Sequence, residues 1–403
     1  MGVQNRAGMP GGEYPDMPQK SRQGEKSLEA PAITVMVLGM RGFPGVQGGI
    51  ETHAENLYPI LSRLGCRVEA LVRKRYFPRD YPDVWMNIRF RRLWSPPPRL
   101  KGLETFLHSL IGLFYALCRS PDLLHVHAVG PGLVVPLAKL FGLRVVFTHH
   151  GPDYDREKWG PMARLVLLCG EKLGACFSDQ RIAVSRTIAR LLRDRYRIDS
   201  TVIPNGVRVQ ELPASTTALE ELGLSPQRYV LQVSRMVPEK RQLDLIDAFK
   251  RVRPQGWKLV LVGALEPLDD YVRKVVREAE AAGDVVLAGF RSGDSLKELY
   301  GHAGLFVLPS THEGLPIVLL EALSYGLPVL ASGIEANREV GLPEDRYFRP
   351  GDVSELARKI VQWTGDTSGA TDRKAVRNWI RSHYDWERIA EQTLKVYRLA
   401  LST

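Results

Sequence analysis

ITVMVLGMRGFPGVQGGIETHAENLYPILSRLGCRVEALV, residues 33–72, reads as a strand, a glycine-rich loop, a helix and a second strand. Ile33 to Leu38 is a β-branched apolar run that stops at Gly39. From Thr52 to Leu64 the residues Ala54, Leu57, Ile60, Leu61 and Leu64 recur near helical spacing, and Val68 to Val72 is again a short apolar run. Buried strands alternating with amphipathic helices predict a parallel sheet covered on both faces.

The pattern continues through strand candidates at His125 to His127, Val145 to Thr148 and Arg181 to Val184. Pro204-Asn205-Gly206 is a turn signal, Pro213 to Arg228 is polar, and the pattern then restarts. Tyr229 to Val233, Lys258 to Val262, Val285 to Leu287, Leu305 to Leu308 and Pro328 to Ala331 are the next strands, with helices such as Leu243 to Val252 and Leu296 to His302 between them. The expected organisation is a disordered tail over 1–30, a Rossmann-like domain over 31–206 and a second Rossmann-like domain over 207–385. Residues 386–403, which include WERIAEQTLKVYRLAL, form a closing helix, and the site is expected in the cleft between the two α/β domains.

The chain has 403 residues, 44% hydrophobic and 25% charged, so its bulk is neither disordered nor fibrous. Cys66, Cys118, Cys169 and Cys176 lack metal-ligand spacing and are read as reduced and mostly buried. The amino-terminal tail carries no apolar run suited to a signal peptide, and the apolar runs Phe106 to Cys118 and Gly132 to Phe147 are too short to span a bilayer. A cytoplasmic location is expected, with the inner face of the cytoplasmic membrane as a peripheral alternative. The net charge of +10 favours an anionic partner. Arg63 to Lys101 is strongly basic, with Tyr76, Phe77, Trp85 and Trp94 interleaved, so an anionic membrane surface is a candidate partner beside a merely solvated face. No nucleic-acid motif accompanies the stretch, and nucleic acid is not expected to bind.

PSTHEGLPIVLLEALSYGLPV, residues 309–329, follows a strand and opens a helix. Gly314 lets the chain turn closely, Pro316 suits the first helical turn, and the amides of Gly314 and Leu315 stand where a diphosphate fits. Glu313 is a carboxylate at the helix mouth suited to sugar hydroxyls, and Glu321, farther along, suits a ribose diol; otherwise they are a dipole partner and a solvated helix residue. VSRMVPEK, residues 233–240, brings Arg235 and Lys240 to a loop after the first strand of the second domain, where both can grip phosphate, or simply be solvated. In the first domain, Gly48-Gly49 permits close backbone approach to a ligand, although the loop is not G-x-G-x-x-G. His127 and His150 end successive strands, the ligand-binding edge of such a sheet. Asp153-Tyr154-Asp155 is read as a surface turn remote along the chain from Arg235 and Lys240, so no metal is expected.

Together GMRGFPGVQGGIETHAENL, HVHA, IPNGV, VSRMVPEK, the 299–329 segment and DWERIA resemble glycosyltransferase family 4, retaining enzymes of the GT-B fold, from about Ile33 to Leu401. The resemblance implies that Arg235 and Lys240 hold a nucleotide-sugar diphosphate with help from Gly314, Leu315 and Pro316. It implies that Glu313 contacts the sugar, Glu321 the ribose, and His127 the neighbourhood of the transferred sugar. The Gly48-Gly49 loop would close beside the acceptor, with Glu51 and His150 on that side, and the terminal helix would cross back to the first domain. GGIETH with THHGPDYDREKW is similar to enzymes that assemble bacterial surface polysaccharide, which implies a saccharide or lipid-linked saccharide acceptor and no cofactor. The rival readings are a nucleotide-sugar epimerase of the same plan and an NAD(P)-dependent oxidoreductase.

Overall fold

A computed structural model describes residues 32–77, 81–96, 103–155, 160–266, 268–365 and 372–402. The expected tail over 1–30 and part of the basic stretch 63–101 lie outside them.

The described residues carry two sheets. The first has eight strands: β1 (Thr34–Leu38), β2 (Arg67–Arg73), β3 (Val84–Trp85), β4 (Ile88–Leu93), β5 (Leu123–His127), β6 (Val145–His149), β7 (Gln180–Ala183) and β8 (Thr201–Val202). Their order is β3-β4-β2-β1-β5-β6-β7-β8, parallel except for the β3/β4 pair. The second sheet has β9 (Tyr229–Val233), β10 (Lys258–Val262), β11 (Val285–Gly289), β12 (Leu305–Leu308), β13 (Val329–Ser332) and β14 (Tyr347–Phe348). Its order is β11-β10-β9-β12-β13-β14, parallel throughout. Each order reverses once, between β1 and β5 and between β9 and β12, and ligands of such sheets bind where the strands end beside that reversal.

Strands β5 and β6 are buried along their whole length, with the polar residues His125, His127, Thr148 and His149 enclosed among their apolar neighbours. Strand β4 alternates buried Ile88, Phe90 and Leu93 with exposed Arg89 and Arg91. Of the aromatic residues in 63–101, Phe77 is buried and packs with Phe90, Tyr76 and Trp85 are half-buried, and Trp94 is exposed. An arginine-rich strand with an apolar inner face gives the same composition as an interfacial patch.

The cysteine expectation also needs correction, since Cys66 alone is buried and Cys118, Cys169 and Cys176 are exposed, on the outer faces of helices Leu103–Arg119 and Pro161–Phe177. The final helix, Trp386–Ser402, packs on helix Gly49–Arg63 and against β5, β6 and β7 of the first sheet. One hydrophobic cluster runs from Ala183, Val184 and Ile188 of the first sheet region into Leu315, Leu319 and Leu323 of the second, so the two halves share buried surface.

Candidate active site

Strand β9 delivers Arg235 and Lys240, and β12 delivers Glu313 and Gly314, to one pocket. The connecting loop is held from below by two buried glutamines. Gln232 Nε2 donates to the Lys240 carbonyl at 2.9 Å, and Gln242 Nε2 donates to the Arg235 carbonyl at 2.8 Å. Thr311 N–H donates to the Glu239 carbonyl at 2.9 Å, which joins the two strand-tip loops. In that frame Lys240 Nζ donates to Glu313 Oε1 at 2.5 Å, and both side chains are largely withdrawn from water.

Helix Ile317–Ser324 begins one residue after Pro316, so Gly314 and Leu315 form its approach. Glu321, on that helix, is not a solvated residue: Tyr300 donates to its Oε2 at 2.9 Å. Burial pushes its carboxyl pKa up, against the pull of that hydrogen bond.

The first domain contributes His150, Gly151 and Asp153 to the same pocket. A Cβ on Gly314 would stand 1.8 Å from the His150 carbonyl oxygen, so the backbones of the two domains meet directly there. The reading of Asp153-Tyr154-Asp155 as a remote surface turn is thereby corrected, because the end of β6 abuts the second domain. The turn is firmly anchored: Tyr154 is buried, Arg195 Nη1 donates to its hydroxyl at 2.7 Å, and Arg195 pairs with buried Glu171 at 2.9 Å.

His127 Nδ1 and His150 Nε2 face each other at 2.8 Å. His53, on the helix after the glycine-rich loop, stacks edge-on against both rings. Burial holds the His53 pKa down to about 4 despite its bond to Asn205, and burial followed by the neighbouring imidazoles holds His127 and His150 well below the usual histidine range. All three rings are neutral at pH 7, bases and hydrogen-bonding groups rather than cations.

Glu51 and Gly48 serve the loop itself. Arg41 donates to Glu51 Oε1 from both its backbone N–H and its Nε, each at 3.1 Å, and its guanidinium also reaches the Gln47 carbonyl. Gly48 has φ 155°, and a Cβ there would fall 2.0 Å from Glu51 Oε2, whereas Gly49 has open space around its Cβ position. Asn205 received only a turn reading, yet its Oδ1 meets His53 Nδ1 at 2.9 Å and its Nδ2 donates to the Leu315 carbonyl at 2.9 Å. Asp153, His53, Asn205 and His312, another pocket residue, are the members the sequence reading missed. The available signals were His53 near the start of a helix that opens at the strand tips, and the Asp153-Tyr154-Asp155 string itself.

Residues 47–211 match the family model described as Glycosyltransferase Family 4, and residues 216–384 match that described as Glycosyl transferases group 1. The chain belongs to the group 1 glycosyltransferases. Escherichia coli O-antigen chain mannosyltransferase B is 29% identical over 184 residues, 45% of this glycosyltransferase and 48% of the relative, so the match spans about half that relative's length. The Escherichia coli UDP-Gal:alpha-D-GlcNAc-diphosphoundecaprenol alpha-1,3-galactosyltransferase is 29% identical over 277 residues, 64% of this chain and 71% of the relative. The fold is GT-B, similar to sucrose-phosphate synthase from Thermosynechococcus elongatus with a TM-score of 0.78, 23% identity, and 92% and 99% of the two chains covered.

Proposed function

We propose that this glycosyltransferase moves a sugar from a nucleotide-sugar donor to a saccharide or lipid-linked saccharide acceptor, with retention of anomeric configuration, in cell-surface polysaccharide assembly. The observation that carries this reading is the meeting of Arg235, Lys240, Glu313 and Gly314 at the reversal point of the second sheet. Breaking the bond from an anomeric carbon to a diphosphate leaves negative charge on the leaving group, and Arg235 and Lys240 are fixed cations placed to stabilise it. Glu313 holds a sugar hydroxyl, and Glu321, kept in place by Tyr300, receives the ribose. His127, bonded to the pocket residue His150, lies on the facing side, next to where the transferred sugar would sit.

Same-face attack, in which the departing phosphate takes the acceptor proton, needs no protein nucleophile, and the two cations give the diphosphate its charge partners without a metal ion. The lipid-linked acceptor named for the galactosyltransferase relative supports an acceptor of that chemistry here. Helix Leu103–Arg119 exposes Phe106 and Phe114, and helix Pro161–Phe177 exposes Met162 and Leu165, apolar surface that supports a peripheral place beside such an acceptor. No described helix is long and apolar enough to cross a membrane. The epimerase and oxidoreductase readings gain no support from the matched families.

Incubation with a panel of UDP-, GDP- and ADP-sugars and lipid-linked saccharides tests the reading, with the product's anomeric configuration read by NMR. Transfer with an unchanged anomeric configuration is expected. An inverted product, or a donor epimerised without acceptor, overturns it.

A further inference from the structure

We propose that His53, His127 and His150 form a three-nitrogen site for a divalent transition-metal ion of the zinc class, on the first-domain side of the donor pocket. The three rings come from three separate elements: the helix Gly49–Arg63, the end of β5, and the residue after β6. Each offers one ring nitrogen, and these nitrogens lie within 4.8 Å of one another. Zinc–nitrogen bonds of about 2.0–2.1 Å at tetrahedral angles place ligand nitrogens about 3.3 Å apart, so the widest pair closes by roughly 1.5 Å at most, while His127 Nδ1 and His150 Nε2, now hydrogen-bonded at 2.8 Å, open by roughly 0.5 Å and give up the proton between them.

The outer nitrogens decide which atoms face inward. Asn205 gives its Nδ2 to the Leu315 carbonyl, so its Oδ1 accepts from His53 Nδ1, and a neutral His53 then carries its lone pair on Nε2. His127 has its Nε2 bonded to the Tyr58 hydroxyl, which leaves Nδ1 as its inward atom, 2.8 Å from His150 Nε2. Metal-binding imidazoles are oriented by such bonds at the far nitrogen, and here two of the three rings have one before any metal binds. Tyr58 is itself held, since its hydroxyl and that of Tyr397 both meet His125 Nδ1, at 3.0 Å and 2.7 Å.

The donor set selects the ion. Three imidazoles suit zinc, cobalt, nickel or copper, whereas magnesium and calcium require oxygen ligands. Three protein nitrogens with one exchangeable position is the arrangement zinc adopts in its reactive sites, and His150 also lines the donor pocket, which gives the cluster access to the cleft. The site draws on neither the Arg235 nor the Lys240 charge, although His150 lines the same pocket, and its test requires no donor, so its failure leaves the donor-site reading untouched.

The experiment titrates Co²⁺ into the full chain carrying Cys118→Ser, Cys169→Ser and Cys176→Ser, which removes the exposed thiols as competitors. About one equivalent is expected to give the visible bands of a four-coordinate nitrogen site, displaced by Zn²⁺ and unaffected by excess Mg²⁺. His53→Gln and His150→Gln should each weaken binding by about a hundredfold, and Asn205→Ala, which meets the histidine cluster only at the far nitrogen of His53, by about ten- to a hundredfold, with folding verified by circular dichroism. Absence of a stoichiometric band, or bands that persist in the folded His53→Gln/His150→Gln double variant, overturns the proposal. If the histidine variants do not fold, the Asn205→Ala titration decides alone, and unchanged affinity there overturns it.

Discussion

Lys240 and Glu313, 73 positions apart in the chain, are joined by a hydrogen bond of 2.5 Å at the floor of the donor pocket. The proposed diphosphate ligand and the proposed sugar ligand thus neutralise one another before a donor arrives, and donor binding must share the ammonium between carboxylate and phosphate.

That pairing separates the two residues experimentally. Lys240→Ala and Arg235→Ala should each weaken nucleoside diphosphate binding and turnover by about ten- to a hundredfold, the effect of losing a charge-assisted bond. Glu313→Gln should retain or tighten nucleoside diphosphate binding, because it releases Lys240, while transfer falls. Calorimetry beside initial rates checks this, and wild-type binding and turnover in Arg235→Ala would show the site to be misplaced.

Gly314→Ala should cost about a hundredfold in transfer with both domains still folded. Its Cβ would lie 1.8 Å from the His150 carbonyl, so the halves must move apart, and misplacement by about 1 Å is enough for such a loss. A variant within twofold of wild type would mean that the two backbones need not meet during turnover.

Transfer should survive exhaustive chelation, since Arg235 and Lys240 supply the diphosphate's positive partners. Asp153 makes the measurement pointed, because it lines the pocket with both cations. Turnover lost to chelation and restored by magnesium, but not in Asp153→Asn, would assign that carboxylate a metal.

His108, fully enclosed on the inner face of helix Leu103–Arg119, adds a pH dependence to folding. Burial, then the Arg73 guanidinium beside it, lowers its pKa from 6.5 to about 4. A depressed folded value means stability that is complete above about pH 6.5 and lost as pH falls through 4, because the unfolded chain takes up the proton first. His108→Leu should remove about 3 kcal/mol of that acid loss, read from urea unfolding at pH 7.5 and pH 4.5. Parallel acid limbs for wild type and variant would refute the assignment.

The strands buried on both faces were legible in the sequence: β9, β10 and β12 fall on the residues their apolar runs marked. Strand β4 was not, because its outward arginines hid the alternation of Ile88, Phe90 and Leu93. Within the pocket, Arg235, Lys240 and Glu313 announce themselves as charges at strand ends. Asp153 and Asn205 do not, since what matters for them is which domain surface lies opposite, and no local pattern records that.

At the rim of the pocket the halves recognise one another through main-chain atoms: Asn205 reads the Leu315 carbonyl, and Gly314 lies against the carbonyl of His150. A main-chain carbonyl survives any change of the side chain it belongs to. The seam beside the chemistry therefore imposes little covariation at positions 315 and 150, and exchange of donor modules between homologous chains meets its steric constraints at the shared apolar cluster around Val184 and Leu319 instead.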